Sequence, residues 1–158
     1  MDHILQRVVG STGISLLDGF LGYSQILVHL DDQVKTTFTT PWGTFMYVKM
    51  PFGFKNAGAT FQREMDIVFV KEIHDFLVIY LDDITVFSKS DQQHLDHLTQ
   101  VFLKCRKFWI SLNPKKSLFG LEEGKLLGRI ISKDGIRIDP TRIEAILQIP
   151  QPRNIKEL

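Results

Sequence analysis

The chain has 158 residues, of which 44% are hydrophobic and 11% aromatic. This length and composition allow one substantial core and leave no room for a second full domain. The formal net charge at pH 7 is only +1, which excludes the strong basic excess of a protein that neutralises many phosphates by itself. Residues 1–80 hold 6 Lys+Arg against 8 Asp+Glu, whereas residues 81–158 hold 13 against 10, so the positive charge lies in the second half.

The single cysteine, Cys105, lies among apolar residues at helical spacing. It cannot form an internal disulfide or a zinc site, and it fits a reducing, intracellular compartment. Residues 1–10 lack the charged end and long apolar stretch of a signal peptide. No apolar run reaches the roughly 18 residues of a membrane span. We therefore expect a soluble intracellular protein without a membrane partner.

The first predicted element is a buried strand at residues 14–17, which ends at Asp18 and is followed by Gly19 and Gly22. Asp18 is thus predicted at a strand end. Three further segments are rich in Thr, Val, Phe and Tyr. We predict them as antiparallel strands, at residues 26–30, 35–40 and 44–50.

After residue 53 the apolar period changes, and Phe61, Met65 and Ile73 recur at helical spacing. We predict a helix over residues 56–74 with Asn56 as its cap. Two apolar runs follow on either side of Asp82-Asp83, the pattern of a tight β-hairpin. Its strands are predicted at residues 76–81 and 84–87.

The most regular element is a helix that opens at Asp91, carries apolar residues as far as Trp109 and stops before Asn113-Pro114. Beyond it, glycines separate short predicted strands at residues 118–119, 126–131 and 136–138. A third helix is predicted with Asp139 as cap and Pro140 in its first turn. It should end near Pro150, with a further cap-like residue at Asn154.

An acidic pair, Asp82 and Asp83, occupies the tip of the predicted hairpin. A structural explanation exists, because Asp favours tight turns. Two observations favour a functional one: the Gly that normally follows Asp in a two-residue hairpin turn is absent, and Asp18 supplies a third carboxylate at another strand end. If the two strands are neighbours, three carboxylates converge, and cations are needed to offset their repulsion.

The carboxylate set predicts the type of cation. All-oxygen ligands suit Mg²⁺, which keeps several waters and is shared with substrate phosphates. Two such ions, about 3.5–4 Å apart, stabilise both the attacking 3′-hydroxyl and the leaving pyrophosphate oxygen. The sequence therefore predicts a two-metal site for phosphodiester formation, with Mn²⁺ as an alternative ion.

Ordered sequence blocks surround these aspartates. They are LDGFLGYSQI at 17–26, TTPWGTF at 39–45, MPFGFKNAGATFQ at 50–62, YLDD at 80–83, NPKK at 113–116, LGRIIS at 127–132 and GIRIDP at 135–140. In this order the chain resembles reverse transcriptases of the Ty3/gypsy class of long-terminal-repeat retrotransposons, over essentially its whole length. Leu21, Phe54 and Arg129 depart from the family's usual residues, and none of them removes a carboxylate.

The resemblance implies an α+β polymerase palm, an antiparallel sheet with helices packed on one face. It also implies catalytic and metal-binding roles for Asp18, Asp82 and Asp83, with Asp82 the second acid of the turn. The nucleotide-binding residues implied in the same way are Gly19, Gly22, Tyr23, Phe52, Gly53 and Lys116. Those implied to contact the primer are Tyr80, Leu81, Leu127 and Gly128.

Two of these assignments have alternatives. By the resemblance, Tyr23 faces the incoming sugar and blocks a 2′-hydroxyl, but an ordinary core tyrosine would also fit the sequence. The lysine beside the leaving pyrophosphate is either Lys115 or Lys116, because the alignment slips by one residue there.

The implied domain plan is a palm at residues 1–139 and the start of a connection toward the thumb and RNase H at 140–158. The fingers and most of the thumb would be missing. The implied activity is that of an RNA-directed DNA polymerase, which extends a primer on an RNA or DNA template with dNTPs. The rest of a pol polyprotein, including RNase H and integrase, is the expected partner.

Two alternatives to this function stay open. The first is a truncated, catalytically inactive retroelement remnant that acts at most as a binding module. The second is another palm enzyme, such as a nucleotidyl cyclase, which also uses acidic pairs and two metals. The blocks at residues 50–62 and 127–140 argue against the second.

Two further groups of residues are not assigned to the site. His94 and His97 lie three apart on the predicted helix, and we expect both on its polar, solvated side, because a zinc site needs more ligands. A basic cluster either touches nucleic-acid backbone or only solubilises a helix end. Its members are Lys104, Arg106, Lys107, Lys115 and Lys116.

Overall fold

The computed structural model of the chain describes residues 2–149. The helices are α1 (Asp2–Val8), α2 (Leu30–Gln33), α3 (Ala57–Val68), α4 (Asp91–Lys107) and α5 (Pro140–Leu147). The strands are β1 (Gly13–Asp18), β2 (Phe38–Thr40), β3 (Gly43–Phe45), β4 (Leu77–Tyr80), β5 (Asp83–Ser88), β6 (Leu118–Leu121), β7 (Glu123–Leu126), β8 (Arg129–Ser132) and β9 (Gly135–Ile138). Short 3₁₀ turns lie at Gly22–Gln25, Val34–Thr36 and Glu72–His74.

A four-stranded antiparallel sheet forms the centre, with the strand order β4-β5-β1-β6. Strand β1 pairs with β5 from Gly13 opposite Ser88 to Asp18 opposite Asp83. Two smaller antiparallel sheets, β2-β3 and β7-β8-β9, accompany it. Because β1 lies between two partners, Asp18 emerges from the middle of the central sheet.

Both faces of the central sheet are apolar, and side chains alternate between them as the pleat requires. On one face, Leu17 and Ile84 pack with residues of α3 and α4 such as Met65 and Val101. The opposite face has its own cluster, whose buried members are Leu5, Val8, Ile14, Val78, Phe87, Leu126 and Ile131. The two long helices thus share one face, as predicted, while α1 and the β7-β8-β9 sheet cover the other.

The hairpin β4–β5, the long helix α4 and the start of α5 agree with the sequence predictions. At α5, Asp139 caps the helix by accepting from the Thr141 N–H at 3.1 Å, and Pro140 stands in the first turn. Helix α3 begins directly after Asn56, but the Asn56 side chain makes no capping bond. The predicted end near Pro150 and the cap at Asn154 lie outside the described residues.

Several predicted strands are wrong. Of the strand predicted at 44–50, only its first two residues belong to β3, and an isolated bridge, Leu27 with Lys49, is all that links its remainder to residues 26–30. Helix α2 begins at Leu30, where the His29 side chain accepts from the Asp31 N–H. The predicted strand 126–131 is broken at Leu127 and Gly128, which have positive φ and turn the chain from β7 into β8. The α-helix predicted over 56–74 ends at Val68. Helix α1 was not predicted.

The expectation that His94 and His97 lie on a solvated surface is wrong for His94, which is 5% exposed. Its Nε2 lies 2.7 Å from Ser15 Oγ on β1, and its Nδ1 lies 3.0 Å from Ser88 Oγ on β5. Ser15 Oγ also accepts from the Gly120 N–H at 3.1 Å. His94 therefore links α4 to both central strands, and the half-buried His97 extends this network to Ser88 at 2.7 Å.

One member of the basic cluster has an internal role. The Lys104 Nζ donates to Glu72 Oε2 at 2.6 Å and to the Val68 carbonyl oxygen at 2.8 Å. Glu72 is 7% exposed, so this ion pair satisfies a carboxylate that lies inside the fold. Lys104 thus joins α4 to the end of α3.

Within residues 2–149, no helix is both long enough and apolar enough to cross a bilayer.

Candidate active site

The tip of the β4–β5 hairpin is a tight turn at Leu81 and Asp82, with Tyr80 paired to Asp83. Leu81 has φ +56°, a left-handed conformation that side-chain-bearing residues seldom adopt. Two hydrogen bonds hold the turn: the Leu81 N–H donates to Gln62 Oε1 at 2.9 Å, and the Gly19 N–H donates to the Asp82 carbonyl oxygen at 2.9 Å. The turn is therefore fixed from α3 and from the end of β1.

Asp18 and Asp83 are directly opposite each other on β1 and β5. The backbone of Asp18 is held on its other side, where its N–H donates to Ser117 Oγ at 3.2 Å and its carbonyl accepts from the Asn113 N–H at 2.8 Å. The adjacent strand ends thus bring two carboxylates from distant parts of the sequence to one edge of the sheet, as predicted.

The carboxylate of Asp82 lies against Gly22. A Cβ added at Gly22 would stand 2.2 Å from Asp82 Oδ1, and Gly22 has φ +33°. Glycine is required here both by the backbone conformation and by the close approach. A Cβ at Gly19 would lie 3.3 Å from the Asp82 carbonyl oxygen. The two glycines that the resemblance implies for nucleotide binding therefore shape the pocket for Asp82.

The three carboxylates repel one another. The pKa of Asp83 is raised by partial burial and by the charges of Asp18 and Asp82, while the ammonium of Lys116 opposes the rise. Partial burial and the charge of Asp18 also raise the pKa of Asp82, again against Lys116. Lys116 Nζ lies 4.0 Å from Asp18 Oδ2. One ammonium thus offsets part of a negative potential to which all three acids contribute.

A cavity of about 500 Å³ opens between the central sheet and the β7-β8 turn. Asp18 and Asp83 lie in its wall, and Asp82 does not. Its other lining residues are Leu16, Leu17, Tyr80, Thr85, Lys116, Leu118, Lys125, Leu126, Leu127 and Gly128. Acidic, basic and apolar groups therefore share one concave space beside the two opposed aspartates.

The residues predicted to bind nucleotide do not all meet in that cavity. Tyr23 is half-buried on the 3₁₀ turn after β1, and its ring centroid lies 6.4 Å from that of Phe52. Phe52 is 90% exposed, and Gly53 has φ +100° with no atom within 4 Å of an added Cβ. Of the two lysines, Lys116 is the one that stands beside Asp18.

Among the residues predicted to contact the primer, Tyr80, Leu127 and Gly128 line the cavity, whereas Leu81 lies on the turn and is 53% exposed. Leu127 has φ +52° and Gly128 φ +75°. Together with Leu21 and Leu81, Leu127 makes three left-handed leucines around the candidate site. Such conformations persist where the surrounding structure enforces them, and they concentrate at functional sites.

The side chains beside the cavity have the donor type that a divalent cation prefers. Asp18 and Asp83 are hard oxygen donors with unbalanced negative charge, as Mg²⁺ requires. Across residues 2–149, however, no three histidine, cysteine or carboxylate side chains already stand in a metal-binding group. Asp82 is the aspartate turned away, toward Gly22. The donor type therefore fits, with Asp18 and Asp83 as the nearest pair.

Sequence reasoning missed three residues that hold the site together. Gln62 supports the hairpin turn, and Gln25 bonds to the backbone of Phe20 and Ser111. Lys125 lines the cavity and pairs with the buried Asp139. The two glutamines lie inside motif blocks, which is a sequence signal, whereas nothing in the sequence marks Lys125.

A central antiparallel sheet with carboxylates at adjacent strand ends and long helices on one face defines a nucleic-acid polymerase palm. Residues 2–131 match the family described as "Reverse transcriptase (RNA-dependent DNA polymerase)". The chain belongs to this reverse transcriptase family.

Curated relatives confirm the class of element. The chain is 35% identical over 158 residues to the Retrovirus-related Pol polyprotein from transposon 297 of Drosophila melanogaster, covering 100% of the chain and 15% of that protein. The gypsy Pol polyprotein of the same species is 36% identical, with 94% and 14% covered. The Tf2-3 polyprotein of Schizosaccharomyces pombe is 33% identical, with 100% and 12% covered. The chain thus spans about a seventh of the length of these relatives. The predicted resemblance to retrotransposon reverse transcriptases is confirmed.

Solved structures confirm the fold. The foamy viral protease-reverse transcriptase in complex with double-stranded DNA superposes with a TM-score of 0.87 at 26% identity, covering 98% of this chain and 27% of that one. The same enzyme in complex with an RNA/DNA hybrid gives a TM-score of 0.81 at 26% identity, with 98% and 21% covered.

Proposed function

We propose that the chain is the palm of an RNA-directed DNA polymerase, which extends a primer 3′-end on an RNA or DNA template with dNTPs. The observation that carries the proposal is the opposition of Asp18 and Asp83 across β1 and β5, in the wall of one cavity. Family membership supplies the reaction class.

In this proposal, Asp18 and Asp83 hold Mg²⁺, or Mn²⁺ in its place, and Asp82 adds negative charge from the neighbouring turn. The ions supply stabilisation of the attacking 3′-oxygen and of the leaving pyrophosphate oxygen. The chain's own contribution is to fix the carboxylates on strand ends before substrate arrives. The pKa of Asp83 is raised first by partial burial and then by the charges of Asp18 and Asp82. A bound cation would offset both effects, which supports this role.

The proposed nucleotide contacts follow from position and charge. Lys116 lies 4.0 Å from Asp18, where its ammonium can donate to phosphate oxygens of the leaving group. Tyr23 would face the sugar and exclude a 2′-hydroxyl by sterics, with Phe52 and Gly53 beside it.

On the other side of the cavity, the turn at Leu127 and Gly128 would hold the primer end, together with Tyr80 and Leu81. The proximity of Leu127, Gly128 and Tyr80 to Asp18 and Asp83 supports this assignment.

The proposed domain plan assigns residues 1–139 to the palm and 140–158 to the start of the connection toward thumb and RNase H. The relatives are polyproteins of which the chain covers 12–15%. Fingers, thumb, RNase H and integrase are therefore the proposed partners in the same polypeptide. The low net charge of +1 supports this plan, because most of the phosphate contacts would come from those other segments.

Primer extension on poly(rA) with dTTP and Mg²⁺ tests the proposal. The arms are the chain, its Asp82→Asn/Asp83→Asn variant, and the chain joined to a fingers segment from a relative. The matched control is Asp31→Asn/Asp32→Asn, since this second acidic pair lies on the surface helix α2. We expect extension by the chain or by the fingers-joined form, retained in the control pair and lost when Asp82 and Asp83 are changed.

The other outcomes separate the alternatives. Extension only with the fingers segment would mean an intact active site that needs its neighbour to hold nucleic acid. Absence of extension in every arm, with all proteins folded, would contradict the proposal and favour the inactive remnant.

A further inference from the structure

Gln25 closes the loop that follows β1. Its Nε2 donates to the Phe20 carbonyl oxygen at 2.5 Å and to the Ser111 carbonyl oxygen at 3.0 Å. Its Oε1 accepts from the Ser111 N–H at 2.6 Å. A single amide side chain therefore ties the loop both to itself and to the segment that follows α4.

The bonds to Ser111 have the pattern of a backbone pair, because Gln25 uses both the N–H and the carbonyl of Ser111. The same carbonyl accepts from the Phe20 N–H at 2.9 Å. One residue further along, Gly19 forms a β-bridge with Leu112. The Gln25 amide thus adds one rung to a short antiparallel pairing between the end of β1 and the segment after α4.

Between the two anchored ends, the loop has an unusual backbone. Leu21 has φ +56° and Gly22 has φ +33°, and Leu21 is 66% exposed, so apolar burial does little to hold it. A non-glycine residue in this region is strained and needs external restraints. Asp18 in β1 restrains one end of the loop, and Gln25 restrains the other.

Tyr23 lies between these restraints, two residues before Gln25. We propose that Gln25 is a positioning residue that fixes the Tyr23 ring beside the nucleotide sugar and thereby sets the preference for deoxynucleotides over ribonucleotides. This inference rests on the proposed polymerase function. If Gln25 served only stability, its loss would lower the free energy of unfolding and leave the sugar preference unchanged.

The test compares Gln25→Met with Gln33→Met. Methionine keeps the length of the side chain and removes its hydrogen bonds. Gln33 is the matched control, because it is buried and donates to the Val28 carbonyl oxygen at 3.0 Å, away from the Tyr23 loop. Incorporation of dTTP and of UTP on poly(rA) is measured as kcat/KM for each, in whichever form of the chain extends primers.

We expect the ratio of dTTP to UTP kcat/KM to fall about tenfold in Gln25→Met, the size expected from one or two lost hydrogen bonds. The change should come from faster UTP incorporation, and Gln33→Met should keep the wild-type ratio. An unchanged ratio in an extending Gln25→Met chain overturns the inference.

A second readout does not need activity. NMR of the free chain should show contacts between the Tyr23 and Phe52 rings in the wild type and in Gln33→Met, and their loss in Gln25→Met. Failure of every form to extend primers counts against the proposed function. In that case the ring contacts decide the inference. Their loss in Gln25→Met alone supports the positioning of Tyr23 by Gln25, and their persistence overturns it.

Discussion

The Asp82 carboxylate lies so close to the α-carbon of Gly22 that a methyl group there would stand 2.2 Å from Oδ1. Glycine at this position therefore determines where an acid of the candidate site can lie. The relationship also gives a substitution that disturbs the site without removing any charge.

We predict that Gly22→Ala lowers primer extension about 100-fold, because displacement of a positioned group by about 1 Å has effects of this order. The matched control is Gly10→Ala, since Gly10 also has positive φ, +80°, but no atom within 4 Å of the added Cβ. Both variants should lose roughly 1 kcal/mol of stability from left-handed strain. Similar activity in the two variants would contradict a role for the Asp82 contact.

The repulsion among Asp18, Asp82 and Asp83 predicts a stability effect. We expect Asp83→Asn to raise the melting temperature of the metal-free chain at pH 7 by about 2–4 °C, the shift for roughly 1 kcal/mol in a chain of this size. The pKa of Asp83 is raised in the fold. The advantage of the variant should therefore shrink as the pH falls through that raised pKa and the wild-type carboxyl becomes protonated.

Calorimetry with and without Mg²⁺ provides the complementary measurement. Mg²⁺ should raise the melting temperature of the wild type and of the surface control Asp32→Asn, because a ligand that binds only the folded state stabilises it. It should have little effect on Asp83→Asn. An equal Mg²⁺ effect in all three proteins would place the cation elsewhere.

The buried His94 predicts that the free energy of unfolding falls as the pH falls, which is opposite in sign to the effect of Asp83. Its pKa is lowered by burial first and then by the charge of His97, against a smaller opposing effect of Asp91. The unfolded chain therefore binds a proton more readily than the folded chain. Stability is fully present above the unfolded value, 6.5, and is lost as the pH falls through the lowered folded pKa.

We expect His94→Asn to flatten this dependence between pH 7 and 5, and to lower the free energy of unfolding at pH 7 by about 2 kcal/mol. The reason for the loss at pH 7 is that the Ser15 and Ser88 hydroxyls lose a buried partner. Urea titrations at several pH values measure both effects. The exposed His74 provides the control, and His74→Asn should keep the wild-type pH profile.

The Lys104–Glu72 ion pair predicts a large effect of a single change. Lys104→Met leaves a carboxylate buried without its partner, and we expect the free energy of unfolding to fall by about 3 kcal/mol. The double variant Lys104→Met/Glu72→Gln should recover most of that loss. Lys107→Met, on the same helix and exposed, should change stability by less than about 0.5 kcal/mol. Equal free energies of unfolding for Lys104→Met and Lys107→Met, measured with denaturant, would contradict the structural role of the Lys104–Glu72 ion pair.

Much of the candidate site could be predicted from the sequence. Apolar runs bounded by turn residues locate β1, β4 and β5. The approach of Asp18 and Asp83 follows from the sequence on the condition that β1 and β5 are neighbours, and the structure meets that condition. The direction of the Asp82 side chain could not be predicted. It depends on a turn in which Leu81 adopts a conformation that leucine rarely takes, and no local sequence pattern indicates this turn.

The burial of His94 was also beyond local reasoning. Its partners Ser15 and Ser88 lie 79 and 6 residues away in sequence, and on a helical wheel a histidine next to Asp91 and Gln93 looks solvated. The strand predicted at residues 26–30 is wrong for a local reason. Helix α2 begins at Leu30 and is capped by the His29 side chain, so the chain leaves the extended conformation there.

The three left-handed leucines have a consequence for selection experiments. Leu21, Leu81 and Leu127 each hold a positive φ that glycine or asparagine adopts with less strain. A screen of random variants for heat resistance alone would therefore enrich glycine and asparagine at these three positions. A screen that also demands nucleotide incorporation would keep leucine wherever its side chain serves the reaction. Comparing the two selections would separate residues that the fold needs from residues that the chemistry needs.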